Sequence, residues 1–277
     1  MIDNRFWRPA AQRSVRNACG FLQGQQSAWS TASTNARSAA TNLVNAYLSD
    51  NDIAAMDLGI ISDMEGIRDK AKIKLRALQE QNLLQYLKSY DALVNAVLEM
   101  RTISTSMRTY VKDSGGGPLI EFTKNPTVDG DTGDGGGVAV FETLPLCIFE
   151  FLAKEMVVMF QKELRVKWLL AKEFHNLVYK STETTANSNG QDRHFGYGDP
   201  VKYAEGSELG DDVDEVDEAL PATVVLDRKR NPPSRETLQV YLTALLAEGH
   251  INKDRVSEIS RLWSEEMTGA IAGSPIR

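Results

Sequence analysis

From Ile53 to Tyr110 the chain contains no proline and only two glycines, Gly59 and Gly66. Ile60, Met64, Ile67 and Ala71 step by four, three and four positions. Leu75, Leu78, Leu84, Leu87, Val94, Leu98 and Met107 continue a less regular stripe. This spacing predicts one long helix. At a rise of about 1.5 Å per residue it would reach about 85 Å, more than the depth of a small globular domain. Such a helix buries its stripe against other long helices, as in a coiled coil or an extended hairpin. The expected fold is therefore all-α: long antiparallel helices in a coiled-coil-like bundle, with disordered loops and a small C-terminal helical pair.

The rest of the chain fits that frame. A first helix is predicted over 14–48, where Val15, Cys19, Leu22, Trp29, Ala36, Leu43, Ala46 and Tyr47 recur at helical spacing. Its stripe is thin, so it needs a partner surface. The strongest pattern runs from Leu144 to Tyr179, with Ile148, Leu152, Met156, Met159, Val166, Leu170, Phe174 and Leu177 stepping by three or four around Glu163. Thr143 is placed to cap it and Pro145 falls in its first turn, where a missing N–H costs nothing. Glu163 marks a polar layer that sets register. Phe149, Phe160, Leu164 and Leu169 widen the apolar face beyond a two-stranded seam. Near the C-terminus, Ser234 opens a helix through Leu246, Gly249 closes it, and Asn252 caps a second helix through Met267. The division that follows is N-terminal helices over 1–111, a Gly-rich loop over 112–140, a signature helix over 141–180, a disordered charged linker over 181–233, the helical pair over 234–268 and a tail over 269–277.

Charge is unevenly spread. The formal net charge is −7, but Glu205 to Glu218 holds eight acids and no base, so the remainder is close to neutral at +1. Low hydrophobicity with dense charge does not offset the entropy of ordering, which predicts disorder there. From Asn4 to Ser49 there is no acid, and Arg5, Arg8, Arg13, Arg16 and Arg37 supply the charge. A mitochondrial presequence reads the same way, but the continuation into apolar positions through Leu48 favours a docked helix with a basic face. No run of about 18 apolar residues is present, so no transmembrane helix is expected. Cys19 and Cys147 are too few for a disulfide framework and point to a reducing compartment.

Signals for chemistry are sparse. His175, His194 and His250 lack a partner at metal-ligand spacing. A calcium loop starting at Asp129 would need glycine where Asp134 stands and glutamate where Val140 stands. The triplets at Gly115 and Gly135 do not follow the phosphate-binding pattern. No nucleophile elbow or kinase signature set is present. Direct nucleic-acid binding is not favoured, because six bases on the 144–180 helix face four acids. No catalytic residue, cofactor, metal or small-molecule substrate is therefore expected. Arg228-Lys229-Arg230 is a short match to a nuclear-import cluster, and Ser274-Pro275-Ile276-Arg277 makes Ser274 a candidate phosphorylation site for a proline-directed kinase.

A family resemblance enters at the signature helix. Phe141-Glu142-Thr143-Leu144-Pro145 is followed by Met159-Phe160-Gln161-Lys162-Glu163-Leu164, then Lys167 and Ala171-Lys172-Glu173. The set resembles the cyclin-dependent kinase 2-interacting protein family, with Leu144 in place of a tryptophan, Phe160 of a tyrosine and Phe174 of a leucine. Ala28-Trp29 and the helix to Leu48 are similar to that family's opening helix. Tyr241-Leu242-Thr243-Ala244-Leu245 is similar to its C-terminal element, with Leu245 where the family has tryptophan and Gly249-His250-Ile251 where it has proline–tyrosine–valine. The resemblance covers about two thirds of the chain, in order.

The resemblance implies a non-catalytic, nuclear adaptor, with the cytoplasm as a second compartment. It implies protein partners: cyclin-dependent kinases, origin and checkpoint proteins, and an AAA+ ATPase assembly linked to large ribosomal subunit maturation. The expected partner-binding residues are Leu152, Met156, Met159, Phe160, Lys162, Glu163, Leu164, Lys167, Leu170 and Tyr241. The alternative is a structural coiled-coil protein that associates with itself.

Overall fold

The structure, a computed structural model, describes residues 4–107, 139–183 and 233–272. Among them 86% are helical, in five helices with no strand or sheet, which makes the fold all-α. The helices are α1 (Asn4–Asp52), α2 (Ile67–Thr105), α3 (Leu146–Glu183), α4 (Arg235–Ala247) and α5 (Lys253–Ala272). Most of the two expected loops, the acidic run, His194, Arg228-Lys229-Arg230 and Ser274 lie outside the described residues. No described helix is long and apolar enough to cross a membrane.

The largest departure from the sequence reading is the start of α2. The continuous helix expected from Ile53 begins only at Ile67, after a single 3-10 turn, Gly59–Asp63. Two glycines with positive φ bracket the break, Gly59 at 54° and Gly66 at 71°. Open space surrounds both, so it is the left-handed backbone, not crowding, that calls for glycine. Arg68 then ties the connection down. Its guanidinium donates to the carbonyl oxygens of Ile53, of Ala54 at 2.9 Å and of Met56 at 3.0 Å. These carbonyls lie at and beyond the end of α1, where backbone acceptors lack helical partners. Ile60 and Met64, which fitted the helical period, are left on the connection.

The described chain forms two compact units. The first takes residues 4–32, 91–107, 139–164 and 248–272, and so the first part of α1, the end of α2, the first half of α3 and all of α5. The second takes 33–90, 165–183 and 233–247, and so the rest of α1, α2 and α3 with α4. Each long helix contributes residues to both cores.

In the first unit, Gln26 Nε2 donates to Met156 Sδ, and the Trp29 and Phe160 rings meet edge to face at 5.2 Å. The near-constant offset means that α1 and α3 run parallel. α5 runs antiparallel to α3, joining Arg255 to Glu155 and Glu266 to Thr143. In the second unit α1 and α2 are antiparallel, with Arg76 on Asp50 and Gln79 on Ala46.

Two helix ends differ from expectation. Thr143 does not cap α3; its hydroxyl donates to Glu266 Oε1. The other carboxylate oxygen of Glu266 accepts the N–H groups of Glu142, Thr143 and Leu144 at 3.0–3.3 Å. Burial works against this carboxylate, yet the bonds from Thr143, Leu144 and Glu142 bring its pKa below the ordinary 4.5. After α4 it is Glu248, not Gly249, that takes the left-handed conformation, at φ 46°. The caps at Ser234 and Asn252 form as expected, accepting the N–H of Thr237 at 3.2 Å and of Arg255 at 3.0 Å.

Candidate functional site

The residues expected to hold a partner sit mostly inside the chain. Leu152, Met156 and Phe160 are buried in the first core and Leu170 in the second. Glu163 is 1% exposed and Lys167 is fully buried. Met159, Leu164 and Tyr241 are half-buried against the same cores, leaving Lys162 as the exposed member of the set. The physical reason is the width of the apolar face. A face broad enough to touch several neighbours finds them among the chain's own helices.

Glu163 is buried as a polar position, and each unit has its own bonded polar side chains. In the first unit, Glu163 Oε2 accepts the backbone N–H of His250 at 3.2 Å. Trp29 Nε1–H donates to Glu248 Oε1, also at 3.2 Å. In the second unit, Lys167 Nζ donates to Ser33 Oγ at 3.1 Å. Tyr86 Oη donates to the Lys167 carbonyl at 3.1 Å. Burial drives the Tyr86 pKa far up, so its hydroxyl keeps its proton and remains a donor. Buried polar side chains are kept by such partners. The Ser33–Lys167 bond places a hydroxyl beside an amine, as a nucleophile and its base would be placed. Ser33 is 1% exposed, however, so its hydroxyl is closed to substrate in this conformation. Cys19 is likewise unreactive, because burial pushes its thiol up to about 12.

Apart from Ile73, Leu78, Leu84 and Leu98 along α2, exposed apolar side chains mark three other places. On the first unit Phe21 and Phe151 are each 63% exposed. The register that pairs Gln26 with Met156 sets these two rings at one level along the parallel pair α1 and α3. Ile148 is exposed one turn before Phe151 on α3. On the second unit a groove of about 450 Å³ lies between α1 and α4, lined by Thr34, Arg37, Thr41, Leu242, Leu245 and Leu246 among others. Arg37 is folded onto its own helix, donating to Ser33 O and Thr34 Oγ1. Leu245 is fully buried and belongs to the second core. The third place is the α1–α2 connection, where Met56, Ile60, Ile61 and Met64 are all exposed, Ile60 to 97%.

Sequence reasoning missed Glu248, the connection and the two phenylalanines. The signals available were Gly59 and Gly66 for the connection; for Glu248 there was none, since its partner Trp29 lies 219 positions away. Among the described residues no cluster of three or more histidine, cysteine or acidic side chains is arranged to hold a metal ion. No known family model matches the chain, and no curated protein matches it.

Proposed function

We propose that the chain is a non-catalytic helical adaptor that holds a protein partner against the first unit. Phe21 and Phe151 carry this reading: two large rings, mostly exposed and level with one another, on ordered helices. An aromatic side chain that leaves water on binding contributes about 1.5–3 kcal/mol, and such rings are frequent anchors of protein interfaces. The resemblance of Phe141–Pro145, Met159–Leu164 and Ala171–Glu173 to the cyclin-dependent kinase 2-interacting protein family names the partner class. It is an AAA+ ATPase assembly of large ribosomal subunit maturation, or a cyclin-dependent kinase or checkpoint protein, in the nucleus.

The test is co-sedimentation of the purified chain with a purified AAA+ ATPase of that class and, separately, with a cyclin-dependent kinase. The expected result is a stable complex with one of them, weakened about 100-fold when Phe21→Ser and Phe151→Ser are combined, at about 1.4 kcal/mol per tenfold. A chain that sediments alone in both mixtures would overturn the reading. Self-association is the second reading, and it draws on a different surface, the α1–α2 connection of the second unit.

A further inference from the structure

The α1–α2 connection combines three properties that seldom meet on an idle loop. It is apolar, with Met56, Ile60, Ile61 and Met64 facing water. It is acidic, with the exposed Asp52, Asp57 and Glu65 set among those residues. And it is fixed: Arg68 clamps three carbonyl oxygens, and Asp57 Oδ1 accepts the Gly59 N–H at 2.9 Å. A loop already ordered before binding loses little entropy when it docks. Its acids disfavour an anionic lipid surface and call for a protein surface that is basic and apolar together.

The same unit carries such a surface. On α3, Arg165, Trp168, Lys172, His175 and Tyr179 step by three, four, three and four, which lines them along one face of the helix. Arg165, Lys172 and Tyr179 are exposed, Trp168 and His175 half-exposed, and no acid interrupts the row. Lys172 Nζ lies 3.4 Å from the centre of the Trp168 ring, and the His175 and Tyr179 rings lie 4.6 Å apart, tilted by 39°. Arg165 makes no ion pair among the described residues.

We infer that the acidic, apolar α1–α2 tip of one molecule docks on the basic, aromatic α3 stripe of a second copy. Ile60 and Ile61 pack on Trp168 and Tyr179, while Asp57 and Glu65 face Arg165 and Lys172. The contact joins two different surfaces, so it either closes reciprocally into a dimer or continues into longer assemblies. Four apolar side chains make a small contact, at the low end of specific interfaces. Association is therefore concentration-dependent. It is also salt-sensitive, because screening shortens from about 10 Å at 0.1 M to about 3 Å at 1 M. This inference does not rest on the adaptor reading, which uses Phe21 and Phe151.

Sedimentation velocity of the full chain over a concentration series, at low and high salt, tests it. The expected mass rises with concentration at low salt and falls back at high salt. Ile60→Ser with Ile61→Ser weakens association at least tenfold, and Lys172→Glu does the same. All three positions are exposed, so helical circular dichroism stays unchanged. The decisive sample is an equimolar mixture of the two variants. One supplies an intact stripe and the other an intact tip, so the mixture associates where each variant alone stays monomeric. A wild-type chain that is monomeric throughout, variants that associate like the wild type, or a mixture no better than its components would each overturn the inference.

Discussion

The two cores are filled differently, although α1 lends its residues to both. In the first unit α1 contributes Val15, Leu22 and Trp29, and the large buried rings of Phe141, Phe149, Phe160 and Trp263 complete the core. In the second unit α1 offers Ala36, Ala39 and Ala40 and then Leu43, Val44 and Tyr47, and other helices add Leu83, Tyr86, Phe174 and Leu177. Tyr86 and Phe174 meet edge to face at 5.2 Å, and the same geometry recurs between Phe174 and Tyr241 at 6.2 Å. The buried acidic and basic side chains also differ: Glu163 and Glu248 in the first unit, Lys167 in the second. Along Ala36, Ala39 and Ala40 the helix admits large neighbours, and from Leu43 to Tyr47 it supplies bulk again. The first core is thus sensitive to lost volume at its large rings, and the second to added volume beside Ala36, Ala39 and Ala40.

The comparison can be broken in order of expected effect. Trp263→Ala empties the centre of the first core and is expected to lower unfolding free energy by about 3–5 kcal/mol in urea titration. A loss under about 1 kcal/mol would mean that the ring is not integral to that core. Ala40→Leu adds volume to the second core, where Ala40 is fully buried, and is expected to cost about 1–3 kcal/mol. A neutral or stabilising result would show unfilled space beside α1 and remove the contrast. Glu266→Ala takes away the carboxylate that satisfies the backbone before α3, costing about 1 kcal/mol near neutral pH, as a lost cap does. The folded pKa of Glu266 is depressed, so its contribution is present above its ordinary 4.5 and is lost as pH falls through the folded value. The difference between wild type and Glu266→Ala should therefore shrink in acid; a difference that stays constant well below the ordinary carboxylate range would assign the effect to something other than the carboxylate.

Part of the fold and of the polar layer is legible in the sequence alone. The 3–4 spacing from Leu152 to Leu177 locates α3, and the lone Glu163 within it marks a real buried layer. Ser234 and Asn252 cap as their positions suggest, because a cap depends on residues three positions away. The false continuity of Ile60 and Met64 with α2 has a definite cause. Their spacing matches a helical period, and only the paired left-handed glycines, with Arg68 on the carbonyls, show that the backbone leaves the helix. In the sequence Glu248 is no more than the residue before a closing glycine, since nothing local announces that a buried Trp29 holds its carboxylate.

What the sequence determined by itself is the all-α fold, the approximate course of four of the five helices and the place of the polar layer, because periodicity and caps are set by neighbours on the chain. What only the tertiary structure decided is which apolar faces are consumed and which stay open. Leu152, Met156 and Phe160 disappear into the chain's own core, while Phe21, Phe151 and Ile60 remain in water. Periodicity fixes the direction of a side chain around its own helix. Burial depends on which distant helix comes alongside, and that is a property of the whole packing.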